Sequence, residues 1–162
     1  MIGTVAAYVA LGSNLDDPQA QVERAFAALA GLPHSMLAAR SRLYRTPPWG
    51  VIEQPDFINA VARLETSLSP RDLLDALLAI EVHAGRVRGE RNGPRILDLD
   101  LLLYHDHVLH EPGIDIPHPR LQQRAFVLLP LADVAPVLEV PGQGPVSELL
   151  TRVDTRGCTP IG

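Results

Sequence analysis

The chain has 162 residues, 46% hydrophobic, 20% charged and only 4% aromatic, with a formal net charge of −5. Such a composition excludes intrinsic disorder and fits one domain over residues 1–162 around an aliphatic core, while the negative charge excludes a general attraction to nucleic acid or an anionic membrane. All 14 Lys-or-Arg positions are arginine, so lysine nucleophiles, lysine bases and phosphate-loop lysines are excluded, and guanidinium groups must do any phosphate binding.

In chain order, Thr4 to Gly12 is small and aliphatic and predicts a buried strand ending in a tight turn at Gly12-Ser13-Asn14. The apolar start lacks a basic flank and runs into Asp16 and Asp17, so no signal peptide is expected. Asp17-Pro18 is an N-cap followed by a first-turn proline, and Val22, Ala25, Phe26 and Leu29 recur at helical spacing up to Gly31. Met36 to Tyr44 carries no breaker and predicts a second strand, leading into the stiff segment Thr46-Pro47-Pro48-Trp49-Gly50. Phe57 to Glu65 alternates, with Ile58, Ala60, Ala62 and Leu64 on one face and Phe57, Asn59 and Val61 on the other.

Ser69-Pro70-Arg71-Asp72 opens a second helix through Leu73, Leu77 and Ile80 that stops near Gly85. Gly85 to Gly93 has three glycines, three arginines and no apolar pattern, which predicts a mobile loop before a strand over Ile96 to Tyr104. The order strand, helix, strand, strand, helix, strand is the α+β, ferredoxin-like arrangement: an antiparallel sheet with two helices on one face and the other face left for ligands. Beyond it, a hairpin around Asp106, a short helix after Pro119, an apolar stretch from Phe126 to Ala132 and a proline-rich tail are expected. The tail holds the single cysteine, Cys158, which leaves no internal disulfide and points to a reducing compartment. No run approaches the ~20 apolar residues of a membrane span.

Asp98 and Asp100 stand two apart in the last predicted strand, so both carboxylates leave one face about 7 Å apart, with Leu97, Leu99, Leu101 and Leu103 on the other. Aspartates disfavour strands, and two such charges about 6 Å apart repel by roughly 3 kcal/mol at an effective dielectric of ~20, which calls for a compensating cation or basic side chain if both stay ionised. Hard oxygen donors suit Mg²⁺. Taken alone, the pair also fits a solvated edge strand, and Arg86, Arg88, Arg91 and Arg95 alone fit a solvated loop. Together they are the parts that phosphoryl transfer needs, a metal on phosphate oxygens and guanidinium groups to neutralise charge. His105, His107 and His110 fit a solvated hairpin better than a zinc site, whereas His118-Pro119-Arg120 with Arg124 serves equally as scaffold or as a phosphate contact at a helix start.

The run Arg91-Asn92-Gly93-Pro94-Arg95-Ile96-Leu97-Asp98-Leu99-Asp100-Leu101-Leu102 resembles the signature of the 6-hydroxymethyl-7,8-dihydropterin pyrophosphokinase family. Further matches are Gly12-Ser13-Asn14-Leu15, Tyr44-Arg45-Thr46-Pro47-Pro48, Gln54-Pro55-Asp56-Phe57, Asn59-Ala60, Pro117-His118-Pro119-Arg120 and Arg124-Ala125-Phe126, in the same order over most of residues 4 to 140. The resemblance implies a ferredoxin-like fold and transfer of the pyrophosphoryl group of ATP, the co-substrate, to the hydroxymethyl of the dihydropterin. It implies that Asp98 and Asp100 hold two Mg²⁺ ions, with Arg86, Arg88, Arg95, His118, Pro119 and Arg124 around the nucleotide and Leu74, Glu81 and Leu101 near its adenosine half. The pterin then falls to Thr46, Pro47, Pro48, Trp49 and Asn59, between Phe57 and Phe126, with Asp98 at its hydroxyl. A flat bicycle edged with donors and acceptors wants aromatic faces and an amide, and the alternation already sets Phe57 beside Asn59.

The chain departs from the pattern at Asn92, where relatives often carry Trp, at Gly113, where some carry a basic residue, and in an arginine loop one residue shorter than in some members. The expected setting is a cytoplasmic monomer acting on small molecules. The rival is a noncatalytic ferredoxin-like ligand-binding or regulatory domain, which would leave Asp98, Asp100 and the arginines without a purpose.

Overall fold

Strand β1 (Val5–Ser13) runs between β4 (Phe57–Thr66) and β5 (Asp98–Tyr104) and pairs antiparallel with both. The structure is a computed structural model and describes residues 3–48, 53–85 and 95–161. β2 (Ser35–Arg40) and β3 (Leu43–Thr46) pair with β4 one after the other, and β10 (Thr159–Ile161) adds to β3. The sheet order is therefore β10-β3-β4-β1-β5, with β2 also on β4.

Helices α1 (Pro18–Ala30) and α2 (Pro70–His83) begin where the caps place them. Asp17 Oδ1 accepts from the Ala20 N–H at 3.4 Å, and Ser69 Oγ accepts from the Asp72 N–H at 3.1 Å. Each cap is worth about 1 kcal/mol, whereas burying one leucine or phenylalanine contributes about 1.5–3 kcal/mol. The caps thus fix where the helices start, and burial fixes where they lie. Val22, Phe26 and Leu29 of α1 and Leu73 and Leu77 of α2 close on Val9, Leu11, Ala60, Leu64 and Leu99.

The opposite face is only partly left for ligands. The apolar stretch after Arg124 forms α3 (Ala125–Val134), and together with α4 (Val146–Leu150) it buries Leu128, Leu131, Val146 and Leu149 against Tyr8, Val61 and Leu103. Among the described residues, what stays open is the end of the sheet where β1 finishes and β4 and β5 begin.

Three expectations are corrected. The single strand from Met36 to Tyr44 is broken at Ser41, where the backbone N–H donates to Val61 O at 2.9 Å while Oγ accepts from the Val61 N–H at 2.9 Å. A side chain thus replaces a ladder rung and bends the strand. Leu103 lies on the opposite face from Leu97, Leu99 and Leu101: Val9 stands opposite Leu101 and Tyr8 opposite Leu103, so Leu102 is an extra residue that inverts the alternation. The hairpin is not at Asp106 but joins β6 (Leu109–Glu111) to β7 (Ile114–Ile116), turning at Pro112-Gly113, where Gly113 takes a φ of 80° that a β-carbon resists. The proline-rich tail forms the small hairpin β8 (Glu139–Val140) and β9 (Gly144–Pro145), then α4 and β10. The short helix after Pro119 is a single 3₁₀ turn at Leu121–Gln123, and the arginine loop beyond Gly85, through residue 94, lies outside the described residues.

Candidate active site

The open end of the sheet is organised by register. Gly12 stands opposite Asn59 on one side and opposite Asp98 on the other, so the amide of β4 and the carboxylates of β5 flank the same point of β1. The tight turn expected at Gly12-Ser13-Asn14 does not occur, because β1 continues through Ser13 and Asn14 is buried at 2% exposure. Gly12 is there for space: a β-carbon on it would lie 2.7 Å from Asn59 Oδ1. The Asn59 amide is in turn held by its Nδ2, which donates to Thr46 Oγ1 at 2.7 Å.

A cavity of about 280 Å³ fills this end. Thr46, Pro47, Phe57, Asn59 and Phe126 wall one part of it, and Arg95, Asp98, Asp100, His118 and Arg124 the other. A second cavity of about 240 Å³ is lined by Leu74, Leu101, Gly113 and Pro119 and shares Asp100 and His118 with the first. Pro48 lies one step away, in a concavity beside the C-terminal tail. Glu81 lines neither cavity: it is buried behind β5, where its Oε2 accepts from the Leu99 N–H at 2.7 Å. Trp49, Arg86 and Arg88 lie outside the described residues.

The carboxylate pair is under electrostatic load. Burial, the neighbouring Asp98 and the Glu81 carboxylate push the Asp100 carboxyl up to about 7, against the pull of Arg124 and Arg95. Asp98 is offset by Arg95, whose Nη1 lies 3.6 Å from Asp98 Oδ2. Paired hard oxygen donors on one strand face, one of them driven toward its protonated form, fit a divalent cation, whose charge would remove the conflict. His105, His107 and His110 do not join this cluster; His110 Nδ1 instead lies 3.2 Å from Asp115 Oδ1.

The cationic wall is built by the same irregularity that inverted β5. The carbonyl of the bulged Leu102 accepts the His118 N–H at 2.9 Å, which seats His118 over the carboxylates. Burial, reinforced by Arg124, holds the His118 imidazole below its usual range. Arg124 precedes α3, and its buried Nε has no partner among the described residues, as expected of a donor set for an anionic oxygen. Of the residues singled out from sequence, the structure brings together Thr46, Pro47, Phe57, Asn59, Arg95, Asp98, Asp100, His118, Arg124 and Phe126, with Leu74, Leu101 and Pro119 next door. Sequence reasoning missed the spatial role of Gly12 and the buried role of Asn14, for which the one signal was the match of Gly12-Ser13-Asn14-Leu15 to the family pattern.

A family described as 7,8-dihydro-6-hydroxymethylpterin-pyrophosphokinase matches residues 8–136. A Pseudomonas aeruginosa protein named 2-amino-4-hydroxy-6-hydroxymethyldihydropteridine pyrophosphokinase is 51% identical over 150 residues, covering 93% of this chain and 93% of its own. A Haemophilus influenzae protein of the same name is 43% identical over 146 residues, covering 90% and 91%. Among solved structures, Plasmodium falciparum HPPK-DHPS wild type with STZ-DHP has a TM-score of 0.74 at 14% identity, over 92% of this chain and 43% of that one. This chain spans less than half of that longer protein, and the likeness shows the fold, which is ferredoxin-like as expected. Half-identity to a named relative across nearly the whole of both chains goes further than fold: the chain belongs to the 7,8-dihydro-6-hydroxymethylpterin-pyrophosphokinase family.

Proposed function

We infer that the chain transfers the pyrophosphoryl group of ATP to the hydroxymethyl group of 6-hydroxymethyl-7,8-dihydropterin and releases AMP, a step of folate biosynthesis. The observation that carries this reading is the pair of cavities sharing Asp100 and His118: an aromatic and amide-lined one and an aliphatic one meet at a charged wall. Two substrates bound in them would bring a hydroxyl and a phosphate chain together at that wall. The family and its named relatives are enzymes, and nothing favours the noncatalytic rival.

Within this reading, Phe57 and Phe126 sandwich the pterin, and Asn59 and Thr46 read its edge. Asn59 keeps its Oδ1 and one N–H beyond the bond to Thr46, a matching acceptor and donor. Leu74, Leu101 and Pro119 hold the adenosine half, and Glu81 acts from behind the strand rather than by contact. Arg95, His118 and Arg124, joined by Arg86 and Arg88, surround the triphosphate; Pro48 and Trp49 complete the pterin side. Asp98 and Asp100 hold two Mg²⁺ ions, which when bound supply charge neutralisation for the phosphate oxygens.

The hydroxymethyl oxygen forms a bond to the β-phosphorus while the bond from that phosphorus to the oxygen bridging the α-phosphate breaks. The bridging oxygen leaves with AMP, and the hydroxyl proton is released. Asp98 accepts the hydroxyl hydrogen bond and orients the nucleophile, and the guanidinium groups stabilise charge on the transferring group and the leaving oxygen. The activity is assigned to one domain over residues 1–162 working as a monomer, and a single cysteine is in keeping with a reducing, cytoplasmic setting. Incubation with ATP, Mg²⁺ and the dihydropterin tests it: AMP must form only when both substrates are present, and its absence would remove the reading.

A further inference from the structure

The ladders that hold β1 end at the site itself, with Ser13 opposite Ile58 and Gly12 opposite Asp98. The next residue, Asn14, lines neither cavity, yet it is 2% exposed. Its side chain continues both ladders. Asn14 Oδ1 accepts from the Arg95 N–H at 2.8 Å while the Asn14 N–H donates to Arg95 O at 3.0 Å. Asn14 Nδ2 donates to Gln54 Oε1 at 2.8 Å and to Pro55 O at 3.0 Å. The amide is thus used at its acceptor and at both donors, and an amide is the only uncharged side-chain group that offers an acceptor and two donors at once.

The residues it joins belong to the two halves of the site. Gln54 and Pro55 lead directly into Phe57, the stacking face on the pterin side, and Arg95 is the phosphate-side cation 3.6 Å from Asp98. Backbone pairing cannot tie these segments to each other, because the end of β1 lies between them. We propose that Asn14 is a positioning residue that fixes the spacing between the pterin-side wall and the phosphate-side wall, and so sets the approach of the hydroxymethyl oxygen to the β-phosphorus. This rests on the functional reading above. Small errors in such an approach are costly, since a displacement near 1 Å can lower a rate about a hundredfold.

Asn14→Asp separates the two arms. A carboxylate still accepts the Arg95 N–H, but it offers no donor and turns an oxygen toward the Pro55 carbonyl, so the phosphate side is kept and the pterin side is released. Isothermal titration with the dihydropterin and with a non-hydrolysable ATP analogue, at a Mg²⁺ concentration that saturates the wild type, reads both arms. The expected result is a dihydropterin Kd raised at least tenfold, an analogue Kd changed less than threefold, and kcat at saturation lowered at least thirtyfold per binding-competent site. A purely structural defect would lower the binding stoichiometry and leave both Kd values and the kcat per competent site unchanged, and that outcome, or equal losses for both ligands, overturns the proposal. If Asn14→Asp does not fold, Gln54→Ala carries the test, with a dihydropterin Kd raised threefold or more expected and a wild-type value overturning it. A wild-type protein that binds the analogue but no dihydropterin would overturn the functional reading itself, and the proposal with it.

Discussion

Gly12→Ala isolates the geometry of the pterin side with a single methyl group. Gly12 lies in the regular backbone of β1 and has no positive φ, so alanine removes no freedom the fold needs and by propensity adds about 0.5–1 kcal/mol of stability. Its β-carbon would lie 2.7 Å from Asn59 Oδ1, about 0.6 Å inside an ordinary carbon–oxygen contact. The Asn59 amide must therefore move, and its 2.7 Å bond to Thr46 stretches or breaks. A neutral hydrogen bond of this kind is worth about 0.5–1.5 kcal/mol, so the two effects nearly cancel and thermal stability should hardly change. Ligand binding has no such compensation. An amide turned out of register loses its contacts with the pterin edge, costing about 1–3 kcal/mol, or roughly fivefold to 150-fold in affinity. Titration calorimetry with the dihydropterin and with an ATP analogue, beside a melting curve, reads all three quantities. Unchanged dihydropterin affinity, or an equal fall for both ligands, would refute the placement of Asn59 at the pterin edge.

Asp100→Asn should abolish turnover and yet stabilise the metal-free protein. The wild-type carboxyl moves from an ordinary 3.8 unfolded to about 7 folded, so between those values the unfolded chain binds fewer protons and stability falls as pH rises. Access of water to the cavity and coupling to Asp98 reduce this to roughly 1–2 kcal/mol, which places the variant's Tm about 2–8 °C above wild type at pH 8 and near it at pH 4; a lower Tm at pH 8 would contradict the strained pair. Phe57→Ala should weaken the dihydropterin by about 1–3 kcal/mol through lost stacking and leave ATP affinity nearly intact; a collapse in Tm would make Phe57 a core residue instead. Arg86→Ala and Arg88→Ala should each cut kcat by about tenfold or more with a much smaller loss of ATP affinity, because charge is redistributed on the transferring group only in the transition state. Proportional losses in single-turnover rate and affinity would make these arginines docking groups, and Asn92→Ala should be mild in the same assay.

Local chemistry makes part of this architecture legible. Asp17-Pro18 and Ser69-Pro70 announce two helix starts, and the alternation through Phe57 and Asn59 sets two site residues on one strand face. Asp98 and Asp100 stand out because carboxylates in a strand need a reason. Long-range pairing hides the rest. The extra residue at Leu102 changes nothing in composition, yet it flips Leu103 and frees the carbonyl that seats His118. The uniformly apolar run after Arg124 has no polar face to reveal its period, so neither α3 nor its cover over half the sheet can be read from it. Thr159-Pro160-Ile161 is too short to signal a strand and owes its place to the open edge of β3. Pro112-Gly113 is different, since its turn chemistry is plain in the sequence and is a stronger hairpin signal than Asp106 alone.

Product identity bears most directly on the central claim that this site moves two phosphates at once. ³¹P nuclear magnetic resonance and mass spectrometry of a reaction with ATP, Mg²⁺ and 6-hydroxymethyl-7,8-dihydropterin should show one AMP for each pterin diphosphate ester, with both the β- and γ-phosphorus carried on the pterin. Formation of ADP and a pterin monophosphate, or nucleotide hydrolysis with the pterin unchanged, would contradict it.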